Sequence, residues 1–111
     1  MAKIITQYPA DLDKRTAYRL TRANAKKMIE AAGSVITPTA YVLYEEPDAK
    51  SGEIKTVLTI EADGEIFGTV SSVFIREFVD AAEYFNGDVG SIRIITGETK
   101  NGREFVTCEI V

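Results

Sequence analysis

The chain has 111 residues, 45% of them apolar and 27% charged, with a formal net charge of −4. That length suits one domain with a single modest core, and no apolar run approaches the roughly 20 residues that a bilayer-spanning helix needs. There is no histidine and only one cysteine, Cys108, which excludes an internal disulfide, a zinc site and a Cys/His nucleophile pair.

The start, "MAKIITQYPADLDK", lacks the apolar core of a secretory signal, and residues 1–10 read as irregular, with Pro9 barring an early helix. "DLDKRTAYRLTRANAKKMIEAAGS" predicts a helix that Asp11 or Asp13 caps and Gly33 ends. Ala17, Leu20, Ala23 or Asn24, Met28, Ile29 and Ala32 give it an apolar stripe. Thr21 and Asn24 weaken the middle, so two shorter helices are the alternative. Arg15, Arg19, Arg22 and Lys26 follow at spacings of three or four and share one face of a continuous helix.

Charge is unevenly spread. Residues 1–38 hold seven Lys/Arg against three Asp/Glu, a net of +4, whereas the remainder holds six basic and fourteen acidic residues, a net of −8. A basic arm either meets an external anion or docks on its own acidic body.

From Thr39 the pattern turns to strands. "TAYVLYEE" is aromatic and β-branched, "PDAKSG" is a polar loop, and "EIKTVLTIEADGEIFGTVS" reads as two strands turning at Asp63-Gly64. "SVFIREFVDAAEYFNG" is a helix capped by Ser71 or Ser72 and stopped at Asn86-Gly87. Its predicted apolar face is Phe74, Ile75, Phe78, Val79, Ala82 and Phe85. "SIRIITGETKNGREFVTCEIV" closes the chain as a hairpin turning at Asn101-Gly102. The order is strand, strand, strand, helix, strand, strand. The expectation is therefore an α+β, mainly β chain: one domain over 1–111, with a basic helical arm over 1–38. An OB-like five-stranded barrel over 39–111 carries its helix between the third and fourth strands. Ligands of that fold lie between the first and last hairpin loops, here "EEPDAKSGEIK" and "ETKNGRE".

Single-stranded DNA binding needs cations for phosphates and flat side chains for bases. If Asn101-Gly102 is a two-residue turn, Lys100 faces Arg103 and Glu98 faces Phe105. Lys100, Arg103, Phe105 and Thr107 then share a face, while Ile95, Gly97, Val106, Cys108 and Ile110 line the other. A bulge at Gly97 would shift this register, and Phe105 could equally pack under the N-terminal helix. Tyr41 and Tyr44, three apart, point to opposite faces, one core and one exposed. Phe67 is a further platform, beside Gly68, which admits a flat ligand. Tyr18 sits among Arg15, Arg19 and Arg22, aromatic interleaved with basic. The candidate nucleic-acid-binding residues are Arg15, Tyr18, Arg19, Arg22, Tyr41, Lys55, Phe67, Lys100, Arg103 and Phe105.

In "GEIFGTVSSVFIREFVDAAEYF", in the terminal "SIRIITGETKNGREFVTCEIV" and in "DLDKRTAYRLT", the chain resembles small single-stranded DNA-binding proteins of tailed phages and mobile elements of Gram-positive bacteria. The resemblance implies an OB-fold that coats single-stranded DNA in phage replication or recombination, in the host cytoplasm. Residues 100–105 would supply cations and an aromatic. Many OB-fold coating proteins carry an acidic tail; the chain stops at Val111, so none is expected. The expected partners are single-stranded DNA, further copies of the chain and replication or recombination proteins, with no membrane, no metal and no cofactor. Two other readings stand beside this one: a phage-type module that binds a host or virion protein, and a carboxylate-metal enzyme built on Asp63, Glu65 or Asp88.

Overall fold

Strand β4 (Pro38–Pro47) organises the molecule because both of its faces are covered. Tyr41 and Leu43 point to one side and Val42 and Tyr44 to the other, and all four are buried. The computed structural model describes residues 3–22 and 24–111. Along these the other elements are β1 (Lys3–Tyr8), α1 (Lys14–Arg22), β2 (Lys26–Lys27), a 3₁₀ turn (Met28–Ala31), β3 (Val35–Ile36), β5 (Ile54–Ala62), β6 (Glu65–Thr69), α2 (Ser72–Tyr84), β7 (Ile92–Glu98) and β8 (Glu104–Ile110).

The strands form two open sheets rather than the expected closed barrel. One has the order β1-β4-β5-β6-β2, and the other β3-β7-β8. All pairings are antiparallel except β2 with β6. Only Thr37 separates β3 from β4, so a single run of chain crosses from one sheet to the other. The register against β5 slips between Pro38 and Ala40. A proline without an N–H is tolerated at such a bulge and at a strand's first position.

The main core lies between the sheets under α2. Phe74 and Phe78 are fully buried against Tyr41, Leu58, Ile60, Ile92 and Ile94. Tyr41 meets Phe78 edge-on at 4.8 Å and stacks on Tyr8 at 5.4 Å. Its hydroxyl donates to the Gly87 carbonyl at 2.9 Å. Gly87, at φ +100°, lies so close to Tyr8 that a Cβ would stand 2.6 Å from the ring, so no side chain fits there. A second, smaller core covers the opposite face of β4, where Ala17 and Leu20 of α1 pack on Ala40, Val42 and Tyr44.

Local signals held at the β5–β6 turn and at the starts of both helices. Asp63 and Gly64 take left-handed φ values of +53° and +77°, as a tight hairpin requires. Ser71 Oγ accepts the Phe74 N–H at 3.3 Å, and Asp13 accepts the Thr16 N–H at 3.2 Å. Three expectations are corrected. Residues 3–8 are not irregular: "KIITQY" pairs with β4, a tertiary contact that supplies what local pattern did not show. The long N-terminal helix stops at Arg22, where the Thr21 hydroxyl bonds the Tyr18 carbonyl at 2.7 Å and so competes with helix continuation. The chain then pairs Lys26–Lys27 with β6 and makes only a 3₁₀ turn before Gly33, whose N–H reaches Ile94 O at 2.6 Å. Phe85, last in the predicted apolar face of α2, caps that helix and is exposed. No helix among the described residues is long and apolar enough to cross a membrane.

Ser71 also donates to the Val106 carbonyl at 3.0 Å, so one side chain caps α2 and ties β8 to the end of β6. Ser71→Ala is therefore expected to lower stability by about 1–2 kcal/mol, read as a lower midpoint with unchanged slope in urea unfolding.

Candidate functional site

The second edge of β6 pairs with β2 and not with β8, and between β6 and β8 a groove of about 760 Å³ opens on the outer face of the sheets. Val57, Thr59 and Gly68 contribute to its lining from β5 and β6, Ala25 and Lys27 from the segment after α1, and Phe105 from β8.

Phe105 owes its position to the terminal hairpin, whose register differs by one residue from the expected two-residue turn. Thr99 N–H donates to Arg103 O at 2.9 Å and Gly102 N–H to Thr99 O at 2.9 Å. Arg103 N–H adds a bond to Thr99 Oγ1 at 3.2 Å. Within the tip only Gly102 has a positive φ, +76°. A two-residue turn of the favoured hairpin type needs positive φ at both central positions, whereas a three-residue loop needs it once. The loop is thus Lys100-Asn101-Gly102. Glu98 pairs with Glu104, and Gly97 lies opposite Phe105. Lys100 lies in the loop and Arg103 closes it opposite Thr99, so neither lies on a strand face.

The corrected register puts Ile92, Ile94 and Thr96 on the core side with Cys108 and Val106. Arg93, Ile95 and Gly97 stand outside with Glu109, Thr107 and Phe105. The Phe105 ring lies over Gly97: a Cβ on that glycine would come within 2.6 Å of Cζ and 3.0 Å of Cε2. A bare glycine thus gives the ring a flat backbone seat. Phe105 is half-buried and does not pack under α1.

The other predicted residues divide sharply. Tyr41 at 4% exposure and Phe67 at 6% are core residues and offer no surface to a base. Both face inward between the sheets, and Tyr44, on the opposite face, is buried too because α1 covers it. Burial raises the Tyr41 and Tyr44 hydroxyl pKa values above the ordinary tyrosine value. Gly68 lines the groove, and a Cβ there would meet Ala25 Cβ at 3.2 Å, so the missing side chain also lets the segment after α1 approach β6. Lys55 lies 3.8 Å from Glu46 and Arg19 3.1 Å from Glu61. With Lys26–Glu65 at 2.6 Å, the basic segment therefore docks in part on its own acidic sheet, and such exposed pairs add little stability.

Arg15, Tyr18 and Arg22 remain exposed on α1, with the Arg22 guanidinium 5.5 Å from the Tyr18 ring centre. Tyr18 and Arg22 line a different groove, between α1 and β1, so the structure does not gather the α1 set and the hairpin set into one site. Lys100 and Arg103 are exposed and have no carboxylate partner among the described residues. Lys27, which lines the groove, and Gly97, which seats the Phe105 ring, were not among the candidates. Lys27 needed β2 to be read as a strand; the signal for Gly97 was a glycine inside a β run. Among the described residues no three carboxylate or cysteine side chains gather to hold a metal ion. Asp63 lies in the β5–β6 turn and Glu65 opens β6, and Asp88 accepts the Gly90 N–H at 3.1 Å.

Compared with known proteins, the chain matches no family model, no curated protein and no solved structure.

Gly97→Ala is expected to lift the Phe105 ring from its seat and cost about 1–3 kcal/mol, seen as a lower denaturation midpoint. Burial, with Glu77 second, pushes the Cys108 thiol up to about 11. The folded state then holds this proton more tightly than the unfolded chain. Its stabilising effect is complete below the unfolded value of 9.0 and is lost as pH rises towards about 11. Native Cys108 is expected to resist iodoacetamide at neutral pH and to react once unfolded, as mass spectrometry reports.

Proposed function

We propose that this chain binds single-stranded DNA without a sequence code and without catalysis, along the seam between β6 and β8. Phe105 is the base platform, and Lys27, Lys100 and Arg103 meet phosphates. The observation that carries this reading is the Phe105 ring seated on Gly97 beside an open groove, with the unpaired cations of the hairpin tip next to it in sequence. Stacking on an aromatic contributes about 1–3 kcal/mol per base whatever the base, and the cations add affinity by releasing counterions.

The connectivity supports the same reading. The run β3–β4, then β5, β6, α2, β7 and β8 follow in the order of an OB-fold, and β3 pairs with β7 to link the first strand of that order to the fourth. We take the two sheets as an OB-like barrel opened at one seam. Such folds bind oligonucleotides beside the first and last hairpin loops. The family likeness read from the sequence gives the setting: coating DNA in phage replication or recombination.

The test is anisotropy titration of labelled oligothymidine across a salt series. Three phosphate contacts predict a slope of log affinity on log salt near −2. Lys100→Ala/Arg103→Ala should bring the slope to about −0.7, and Phe105→Leu should weaken binding about 5- to 100-fold with little change in slope. No binding by a folded wild type at about 50 mM salt would overturn the reading.

A further inference from the structure

A second groove and a second aromatic cluster take no part in that reading. The groove, about 720 Å³, lies between α1 and β1, a size that takes a bulky side chain or drug-sized group. Ile4, Leu12 and Ala17 give it apolar walls, and Lys14, Tyr18 and Arg22 stand along it. Tyr18 is 63% exposed. The sequence of α1, "KRTAYRLTR", contains no acid, and of its four cations only Arg19 has a carboxylate partner among the described residues.

The cluster is at the far end of α2. Tyr84 is 82% exposed and Phe85 41%, their rings 5.0 Å apart and nearly perpendicular. Asp80, Glu83 and Asp88 surround this end in sequence, and the last turn of α2 has no basic residue. None of the three carboxylates has a cationic partner among the described residues.

A helix C-terminus disfavours acids, so Asp80 and Glu83 near the end of α2 carry the sign that its dipole opposes. On α1, Asp13 caps the start and Arg22 lies in the last turn, while Lys14 and Arg22 border the groove. The two sets are opposite in sign and complement each other. Within one molecule the two helices lie on opposite sides of β4. α1 packs through Ala17 and Leu20 on one face of β4, while α2 packs through Phe74 and Phe78 on the opposite face.

We infer that copies of this chain associate head to tail, the α1–β1 groove of one copy receiving Tyr84 and the acidic end of α2 from the next. Lys14 and Arg22 pair with Asp80 and Glu83, and the exposed aromatic fills the apolar groove. The two surfaces differ, so the contact is heterologous and extends into an open chain instead of closing as a two-fold dimer. The attraction is largely between exposed charges and weakens with salt.

The test is sedimentation velocity over a concentration series at about 50 mM and about 500 mM salt, without nucleic acid, so its result is independent of the DNA reading. The variants are Lys14→Glu/Arg22→Glu and Asp80→Lys/Glu83→Lys. All four positions are exposed, and circular dichroism checks that each variant folds. Wild type is expected to associate at low salt and to dissociate at high salt. Each variant alone brings like charges together and should associate about tenfold or more weakly. An equimolar mixture restores association, because one junction keeps the native pairing and the next carries it reversed. A monomeric wild type at every concentration, or a mixture that stays monomeric, overturns the inference. A monomeric wild type whose Lys14→Glu/Arg22→Glu variant loses oligothymidine binding would assign the groove to nucleic acid instead.

Discussion

Burial of β4 on both faces is the constraint from which the rest of the structure follows. A strand that carries Tyr41 and Leu43 inward and Val42 and Tyr44 outward cannot stand at the surface of a half-solvated sheet. It needs one layer on each side. The main core and α2 supply the inner layer, and α1 supplies the outer one through Ala17 and Leu20. The outer face of the first strands, where an OB-like fold would receive a ligand, is thereby covered by the chain's own helix. The space that stays open is displaced to the seam where β6 and β8 do not pair, and the terminal hairpin becomes its wall.

What could be read from the sequence is what short-range chemistry decides. The Asp63-Gly64 turn, the Ser71 cap and the Asn86-Gly87 stop each depend on one or two side chains and their own backbone. The same holds for the faces of β6, where Phe67 and Gly68 oppose each other as alternation requires. Which face is covered depends on partners far along the chain. Tyr41 and Phe67 looked like platforms because the sequence does not show what packs on them. β1 was missed for the same reason, since "KIITQY" is ordered by pairing with β4. The hairpin erred by a single residue: Asn101-Gly102 suggests a two-residue loop, but only Gly102 takes a left-handed φ. Phe105 still emerged outside the core, because the faces of β8 itself alternate in either register, and its seat on Gly97 came from the register that was not foreseen.

The charge asymmetry divides in a similar way. Part of the basic segment is structural, since Arg19 and Lys26 reach Glu61 and Glu65 and hold the segment on the acidic sheet. Segment 24–27 then lies against Gly68. Among the described residues several charges have no partner of opposite sign, and three groups of them lie near a groove or an aromatic. Lys100 and Arg103 stand at the hairpin tip, Lys14 and Arg22 along the α1 groove, and the acids of α2 at its end. The first set lies beside an aromatic on a flat seat, which suits bases and phosphates. The other two are opposite in sign, as the inferred contact between copies requires. On the proposed reading, a protein that coats a strand needs both a grip on the strand and a contact between neighbours, and the two grooves would divide these tasks.

The most direct measurement of the central claim is photo-crosslinking of a bromodeoxyuridine-substituted oligothymidine to the intact chain, with the crosslinked peptide identified by mass spectrometry. A base stacked in the β6–β8 seam predicts that the adduct falls on Phe105. Adducts on Tyr18 or Tyr84 with none on Phe105 would contradict the account and move the strand to another face of the molecule.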